Sequence, residues 1–395
     1  TAAPQPSISV KTYRCRHSLR QVRDAVRTGS SSSTTWRESF RFRDGNKKEM
    51  DKLRFAAVGT GFWARYQLAG WRELPDVECV ALCNRNRGRA EELAREFGVP
   101  AVYDDPQEML EREHLDFLDI ITDVKTHASL VCLAAEHRLP VICQKPMAPT
   151  LAEAVEMVRV CRESNTPFYV HENWRWQTPL RQLKHDLSSG VIGRPFRARL
   201  HFCSSFPVFD NQPFLKDLEQ FILTDIGSHI LDAARFLFGE ASKLYCRTHR
   251  IHKGIRGEDV ATVMMTMSHG MTVICEMSYA SRTEQERFPE TYIYIEGEKG
   301  SLELGPDYRI CTTTEEGSCA RRYPPPRYSW VDPAYELVQA SIVPCNVNLV
   351  AALRGEAPAE TTGEDNLRTV QLVFASYESA CSGNAIALSG EEPKA

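Results

Sequence analysis

Between residues 54 and 170 short apolar runs alternate with helical patterns, and this alternation limits the fold more than any other feature of the chain. The apolar runs are residues 54–58, 77–83, 102–103, 117–122, 141–143 and 168–170. Helical stretches separate them at 65–74, 87–97 (closed by Gly98), 106–112 and 127–137, and at 150–161, which opens with the capping box Thr150-Leu-Ala-Glu153. Strand and helix in this order predict a doubly wound parallel sheet. The ligands of such sheets bind beyond the carboxyl ends of the strands. The first of those ends reads Gly59-Thr60-Gly61-Phe62-Trp63-Ala64. Gly59 permits the tight turn, Gly61 lets the backbone approach a pyrophosphate, and Ala64 takes the close-packing position of the G-x-G-x-x-G/A pattern. A glycine pattern alone is weak evidence, but a strand before it, a helix after it and a second strand beyond make it a dinucleotide-binding turn.

The other strand ends supply the remaining candidates. Asn84 and Arg85 close the second strand. Asn84 can bind ribose hydroxyls and Arg85 suits a 2′-phosphate, so NAD is expected and NADP stays open. Thr122 and His127 follow the fourth strand, and Gln144-Lys145-Pro146 the fifth. His171-Glu172-Asn173-Trp174-Arg175-Trp176 follows the sixth. Polar groups between indoles suit a sugar pocket, with Asn173 and Arg175 as substrate contacts. The indoles read equally as a packed joint between domains.

From about residue 190 the pattern becomes β-rich, with runs at 196–202, 244–248, 260–267, 271–279, 291–296 and 301–304. Ser268-His-Gly270 and Gly297-Glu-Lys-Gly300 mark hairpin turns, and helices are expected near 333–354 and 365–380. This predicts an α+β domain with a largely antiparallel sheet. Its first clear helix carries Asp225-Ile-Gly-Ser-His229-Ile-Leu-Asp232. Positions three and four apart share a helix face, so Asp225, His229 and Asp232 should stand in one row. A carboxylate one turn from an imidazole can orient a base. The same residues also read as a capped helix start with a core histidine. The division expected is 50–172 for dinucleotide binding and 173–395 for substrate binding and oligomerisation. Residues 1–49, rich in Arg and Ser, are expected to be a disordered or non-native leader.

Composition removes several other classes. A formal net charge of −4 gives no general affinity for polyanions, so nucleic acid is not an expected partner. No apolar run approaches the ~18 residues of a membrane span. Thirteen cysteines without a Cys-x-x-Cys pair read as reduced, small hydrophobes of a cytoplasmic protein. His249-Arg-Ile-His252 and His201-Phe-Cys203 contain metal-ligand types but lack a third ligand at the usual spacing, so no metal is expected.

Taken together, the glycine turn, Gln144-Lys145-Pro146 and Asp225-x-Gly-x-His229-x-x-Asp232 resemble the Gfo/Idh/MocA family of oxidoreductases, over nearly everything from Met50 onward. Within it, residues 61–71, 141–150 and 171–176 are similar to a bacterial sugar-dehydrogenase branch. The resemblance implies a nucleotide-binding domain followed by a sheet domain that often forms a homo-oligomer, a dimer or tetramer. It implies hydride transfer between a nicotinamide and a sugar or cyclitol carbon. Lys145 matches the family's motif lysine, and Asp225 and His229 its substrate-domain acid and base. Gln144 departs from the usual glutamate, and Asp123-Val124 from a common proline-containing loop. The reaction expected is oxidation of the anomeric carbon of a cyclic aldose, with His229 as base, Asp225 orienting it or holding a hydroxyl, and Lys145 stabilising alkoxide charge. A polyol dehydrogenase, an aldose reductase or a lyase using NAD transiently fits the same motifs. A non-catalytic NAD(P)-sensing regulator would have no need of Lys145 and His229.

Overall fold

The computed structural model describes residues 52–284, 286 and 288–388. The expectation for residues 1–49 therefore lies outside the described residues. The first sheet holds six parallel strands: β1 (Leu53–Val58), β2 (Val77–Cys83), β3 (Ala101–Tyr103), β4 (Phe117–Ile120), β5 (Val141–Gln144) and β6 (Phe168–His171). Their order is β3-β2-β1-β4-β5-β6. The order reverses between β1 and β4, which opens a crevice at their carboxyl ends. Helices cover both faces, so strand interiors are apolar without alternation: Phe117, Leu118 and Ile120 are wholly buried.

Local chemistry places the helix ends. The Asn86 side chain accepts from the Arg89 amide at the start of Arg87–Phe97, and Gly98 ends that helix with φ +64°. Thr150 accepts from the Glu153 amide and donates to the Glu153 carboxylate at 2.7 Å, so it caps the helix Leu151–Glu163 through its hydroxyl. The first helix, Phe62–Arg72, starts three residues earlier than expected, because Gly61 itself is the N-cap.

The second sheet has nine strands in the order β14-β13-β12-β11-β7-β10-β9-β8-β15. It is antiparallel except where β7 (Pro195–Cys203) lies parallel to β10 (Thr272–Ser278). Between them in the chain run β8 (Ala241–His249) and β9 (Val260–Met267), followed by β11 (Tyr292–Gly297) and β12 (Gly300–Gly305). β13 (Arg309–Thr314), β14 (Gly317–Arg322) and the short β15 (Ile386–Ala387) complete it. The last three were not legible. Every residue of β14 is exposed, so no apolar alternation marks it. The helix Thr178–Ser188 was also missed, since it buries only Pro179, Leu180 and Leu183. Asp225, His229 and Asp232 lie at the start of Ser228–Phe238 and in the π-turn Leu223–Gly227 before it.

The C-terminal helices return to the first sheet. Leu349 and Val350 of Ile342–Leu353 pack with Phe55, Leu68 and Trp71. Leu367 and Val370 of Gly363–Ser382 pack with Met157 and Val170. The Val170 amide donates to the Thr361 carbonyl at 2.9 Å, tying this return to β6. Leu349 is wholly buried in the seam, so truncating it to alanine would cost about 2–5 kcal/mol. Among the described residues, Pro333–Leu353 is the segment long and apolar enough to cross a membrane, and 56% of its most apolar window is buried inside the fold.

Candidate active site

The glycine turn sits at the reversal of strand order. Gly59 has φ +108°, and a Cβ there would meet the Ile121 carbonyl oxygen at 2.4 Å. Only glycine lets β1 pass so close to the chain leaving β4. Gly61 has nothing within 4 Å of a Cβ position, so its face is open. No side chain caps the helix that follows. An uncapped helix N-terminus behind an open glycine fits the pyrophosphate of a dinucleotide. The adjoining cleft of about 430 Å³ is lined by Thr60, Gly61, Phe62, Arg65, Tyr66 and Arg89, among others. Phe62 stands half exposed at its rim, and Ala64 is wholly buried in the close-packing position. Trp63 packs between the two cores. Asn84 donates to the Asn86 carbonyl at 3.0 Å, and Arg85 beside it is exposed.

His127, expected to bind the cofactor, is engaged inside the protein. It is buried, with Nδ1 3.1 Å from the Pro146 carbonyl and Nε2 3.2 Å from the Thr122 carbonyl. It thus fastens the loop after β4 to the one after β5. Burial holds its pKa below the ordinary histidine value. Thr122 accepts from the Thr126 hydroxyl at 2.8 Å, and Asp123 caps the turn that follows.

Gln144 belongs to a buried polar chain. Its amide donates to Gln67 Oε1 at 3.2 Å, Gln67 donates to Asp119 Oδ2 at 3.3 Å, and Trp71 Nε1 donates to the same oxygen at 2.7 Å. Asp119 is wholly buried, and desolvation pushes its pKa up to about 7 against the hydrogen bonds from Trp71 and Gln67.

Lys145 and Glu172 stand at neighbouring strand ends, because Gln144 pairs with His171. Across from them lie the π-turn and its helix. Asp225 in the π-turn and His229 and Asp232 in the helix lie at this joint, and each takes its own partner. Lys145 Nζ is 3.1 Å from Asp225 Oδ1. The Tyr279 hydroxyl donates to Asp225 Oδ2 at 3.3 Å. His229 Nδ1 is 2.6 Å from Glu172 Oε1, and the Trp174 indole stacks on the imidazole at 4.5 Å and 8°. The carboxylate beside His229 is therefore Glu172 and not Asp225. A π-turn inserts an extra residue and shifts the side chains of one turn against the next. Here Asp225 is directed to Lys145 rather than to the imidazole one turn on.

Burial presses both members of the His229–Glu172 pair toward their uncharged forms. It lowers His229 well below its ordinary value, helped by the Lys145 charge and opposed by Asp225 and Asp232. It pushes Glu172 up to about 8, helped by Asp232 and opposed by Lys145 and Arg175.

The two expected substrate contacts Arg175 and Asn173 have partners within the protein. Arg175 is buried, donating to both oxygens of Asp232, to Asp365 and to the Glu360 carbonyl. Asn173 donates to the Val338 carbonyl and the Ser341 hydroxyl, at 2.8 and 2.9 Å. Both lock the joint between the two halves. Glu172, Trp174 and Tyr279 were the residues missed as partners. The place of Glu172 beside Lys145 at a strand end was a usable signal. Tyr279 lies 54 residues beyond Asp225, and nothing in the pattern links them.

Comparison with known proteins bears on the same regions. Residues 53–172 match the model of an oxidoreductase family with an NAD-binding Rossmann fold, and residues 180–303 match the GFO/IDH/MocA C-terminal domain. The chain is 41% identical over 344 residues to D-apiose dehydrogenase of Paraburkholderia graminis, covering 87% of this chain and 92% of that protein. It is 39% identical over 337 residues to the D-apiose dehydrogenase of Rhizobium rhizogenes, covering 85% and 98%. An oxidoreductase from Agrobacterium radiobacter, solved in complex with NAD+, L-tartaric acid and magnesium, superposes with a TM-score of 0.84 at 39% identity, over 85% of this chain and 98% of that one.

Proposed function

The chain belongs to the Gfo/Idh/MocA oxidoreductase family, and from that premise we propose that it oxidises the anomeric carbon of cyclic D-apiose to a lactone with NAD. The observation that carries the reading is the meeting of Lys145, Asp225 and His229 at the carboxyl ends of the parallel strands, the edge of the sheet that also bears the open glycine turn. Relatives named D-apiose dehydrogenase at 39–41% identity support the choice of sugar. The parallel half holds the nucleotide and the antiparallel half contributes the substrate face. Gly59, Gly61, Phe62, Trp63, Ala64, Asn84, Arg85, Thr122, Gln144 and Lys145 frame the nucleotide.

When bound, the nicotinamide accepts the hydride from the anomeric carbon. The protein's part is to remove the hydroxyl proton and hold the charge. His229 Nε2 takes the proton, since Nδ1 is already engaged by Glu172. Lys145, fixed by Asp225, stabilises the developing alkoxide. Asp225, held in turn by Tyr279, also faces a sugar hydroxyl.

NADH formation over a panel of aldoses and cyclitols tests this. D-Apiose should give the highest kcat/KM, with the lactone as product; a cyclitol in first place would reassign the substrate. Run in parallel with NADP, the panel should favour NAD, with residual NADP use through exposed Arg85. A strong NADP preference would reverse that reading.

The enzyme is further proposed to be a cytoplasmic homo-oligomer. Tyr294, Arg199, Ile274, Met264 and Tyr245 lie side by side across five strands, on the sheet face away from the core. Exposed Tyr294 and Met264 give that row the apolar character of a contact surface.

A further inference from the structure

Glu172 is wholly buried at the end of β6, in a place where a carboxylate is expensive. Its Oε1 faces His229 Nδ1 at 2.6 Å and accepts from the Trp174 amide at 3.2 Å. Its Oε2 is buried and has no hydrogen-bond partner among the described residues. A group kept only for packing would cost less as an amide or an apolar side chain. The ring it serves is clamped: the parallel Trp174 indole fixes the imidazole plane, and among the described residues only Nδ1 is hydrogen-bonded, which leaves Nε2 for a ligand.

We propose that Glu172 is the positioning residue of the reaction, fixing His229 as the Nδ1–H tautomer and balancing the imidazolium formed when Nε2 takes the sugar proton. The inference rests on the proposed dehydrogenase reading and adds a residue to it. In the step, the sugar O–H bond breaks, an Nε2–H bond forms, and the C–O bond becomes C=O as the hydride leaves with its electron pair to the bound NAD+. Glu172 gains and loses no bond to substrate. Before the step, its negative charge accepts from Nδ1–H and forces the lone pair onto Nε2. After it, the positive ring lies against that charge instead of alone in a buried site.

The charges around the pair are Lys145 and Asp225 on the substrate side, with Asp232 and Arg175 beneath. The dyad as a unit carries one dissociable proton, and oxidation requires the form without it. The oxidation rate should therefore rise with pH to a plateau.

The experiment has two arms. The first is nitrogen-15 NMR of the intact protein without ligands, at an alkaline pH where the His229 signals no longer change with pH. The His229 signals are identified by their loss in His229→Asn. Protonated Nδ1 with bare Nε2 is expected, and the opposite tautomer would overturn the proposal. This arm needs no turnover, so it still decides the matter if no sugar is oxidised and the functional reading fails. The second arm compares Glu172→Gln and Glu172→Asp with D-apiose and NAD+, with folding checked by circular dichroism. Glu172→Gln should lower kcat about 10²-fold or more, with KM changed less than about threefold, and move the pH limb to lower values. Glu172→Asp should restore the limb and part of the rate. A folded Glu172→Gln enzyme with the original kcat and an unmoved limb would reduce the contact to packing.

Discussion

Lys145 Nζ lies 3.1 Å from Asp225 Oδ1, so the lysine at the end of a parallel strand is held by a carboxylate from the other half of the molecule. Neither side chain is fully buried, with 22% and 16% exposure, so the pair can still meet a ligand. If Lys145 and His229 act only once the chemistry begins, their loss should fall on kcat. We expect Lys145→Met and His229→Asn each to lower kcat by about 10²–10⁴-fold while NADH affinity, read by fluorescence titration, changes little. Because both serve one proton-and-charge event, the double variant should lose much less than the product of the two. Normal turnover in both singles would move the active site elsewhere.

Asp119 should make stability depend on pH. Its folded pKa is pushed up to about 7, whereas an unfolded aspartate titrates near ~3.9. Between those values the native state binds the extra proton, so stability falls as pH rises from about 4 to about 7 and stays reduced above. Asp119→Asn keeps an oxygen for Trp71 and Gln67 and cannot ionise. Denaturant melts should show that it removes this slope and gains about 1–3 kcal/mol over the parent at pH 8. An unchanged slope would mean that Asp119 is already ionised in the folded state near pH 4.

Breaking the joint should cost stability rather than substrate affinity. Arg175 and Asp232 are 6% and 0% exposed, and Asp232 also accepts from Thr369 at 2.8 Å. Removing one member of such a pair strands the other's charge. Arg175→Met should therefore lower stability by about 3–5 kcal/mol, seen as a lower Tm. A variant that melts normally but shows a raised KM for the sugar would return Arg175 to the substrate pocket.

Charge on the outer face of the second sheet should separate subunits. Met264→Glu with Tyr294→Glu puts carboxylates on neighbouring parts of that face, where 48% and 44% exposure leaves the fold itself little affected. Light scattering after size-exclusion chromatography should show the parent as a dimer or tetramer and the variant as a monomer. An unshifted mass would place the interface on another face.

What the sequence alone determined was everything carried by local periodicity and strand ends. Alternation of apolar runs with helical patterns dictated the parallel sheet, because a strand covered on both faces must be apolar throughout. Gly59 and Ala64 were legible because a tight turn and close helix packing each tolerate few residues. Helical spacing put Asp225, His229 and Asp232 near one another, although Asp225 lies in a π-turn ahead of the helix. Their partners did not follow from spacing. Glu172 lies 57 residues from His229, and Lys145 lies 80 from Asp225. Only the packing of two sheets at one joint brought them within hydrogen-bond distance. Asp225, in the π-turn, then faces Lys145, and Glu172 is the carboxylate at His229. Arg175 and His127 looked like ligand contacts because charge at a strand end is ambiguous from sequence. The tertiary structure supplied Asp232 for one and backbone carbonyls for the other, since a buried polar group must find partners inside the protein.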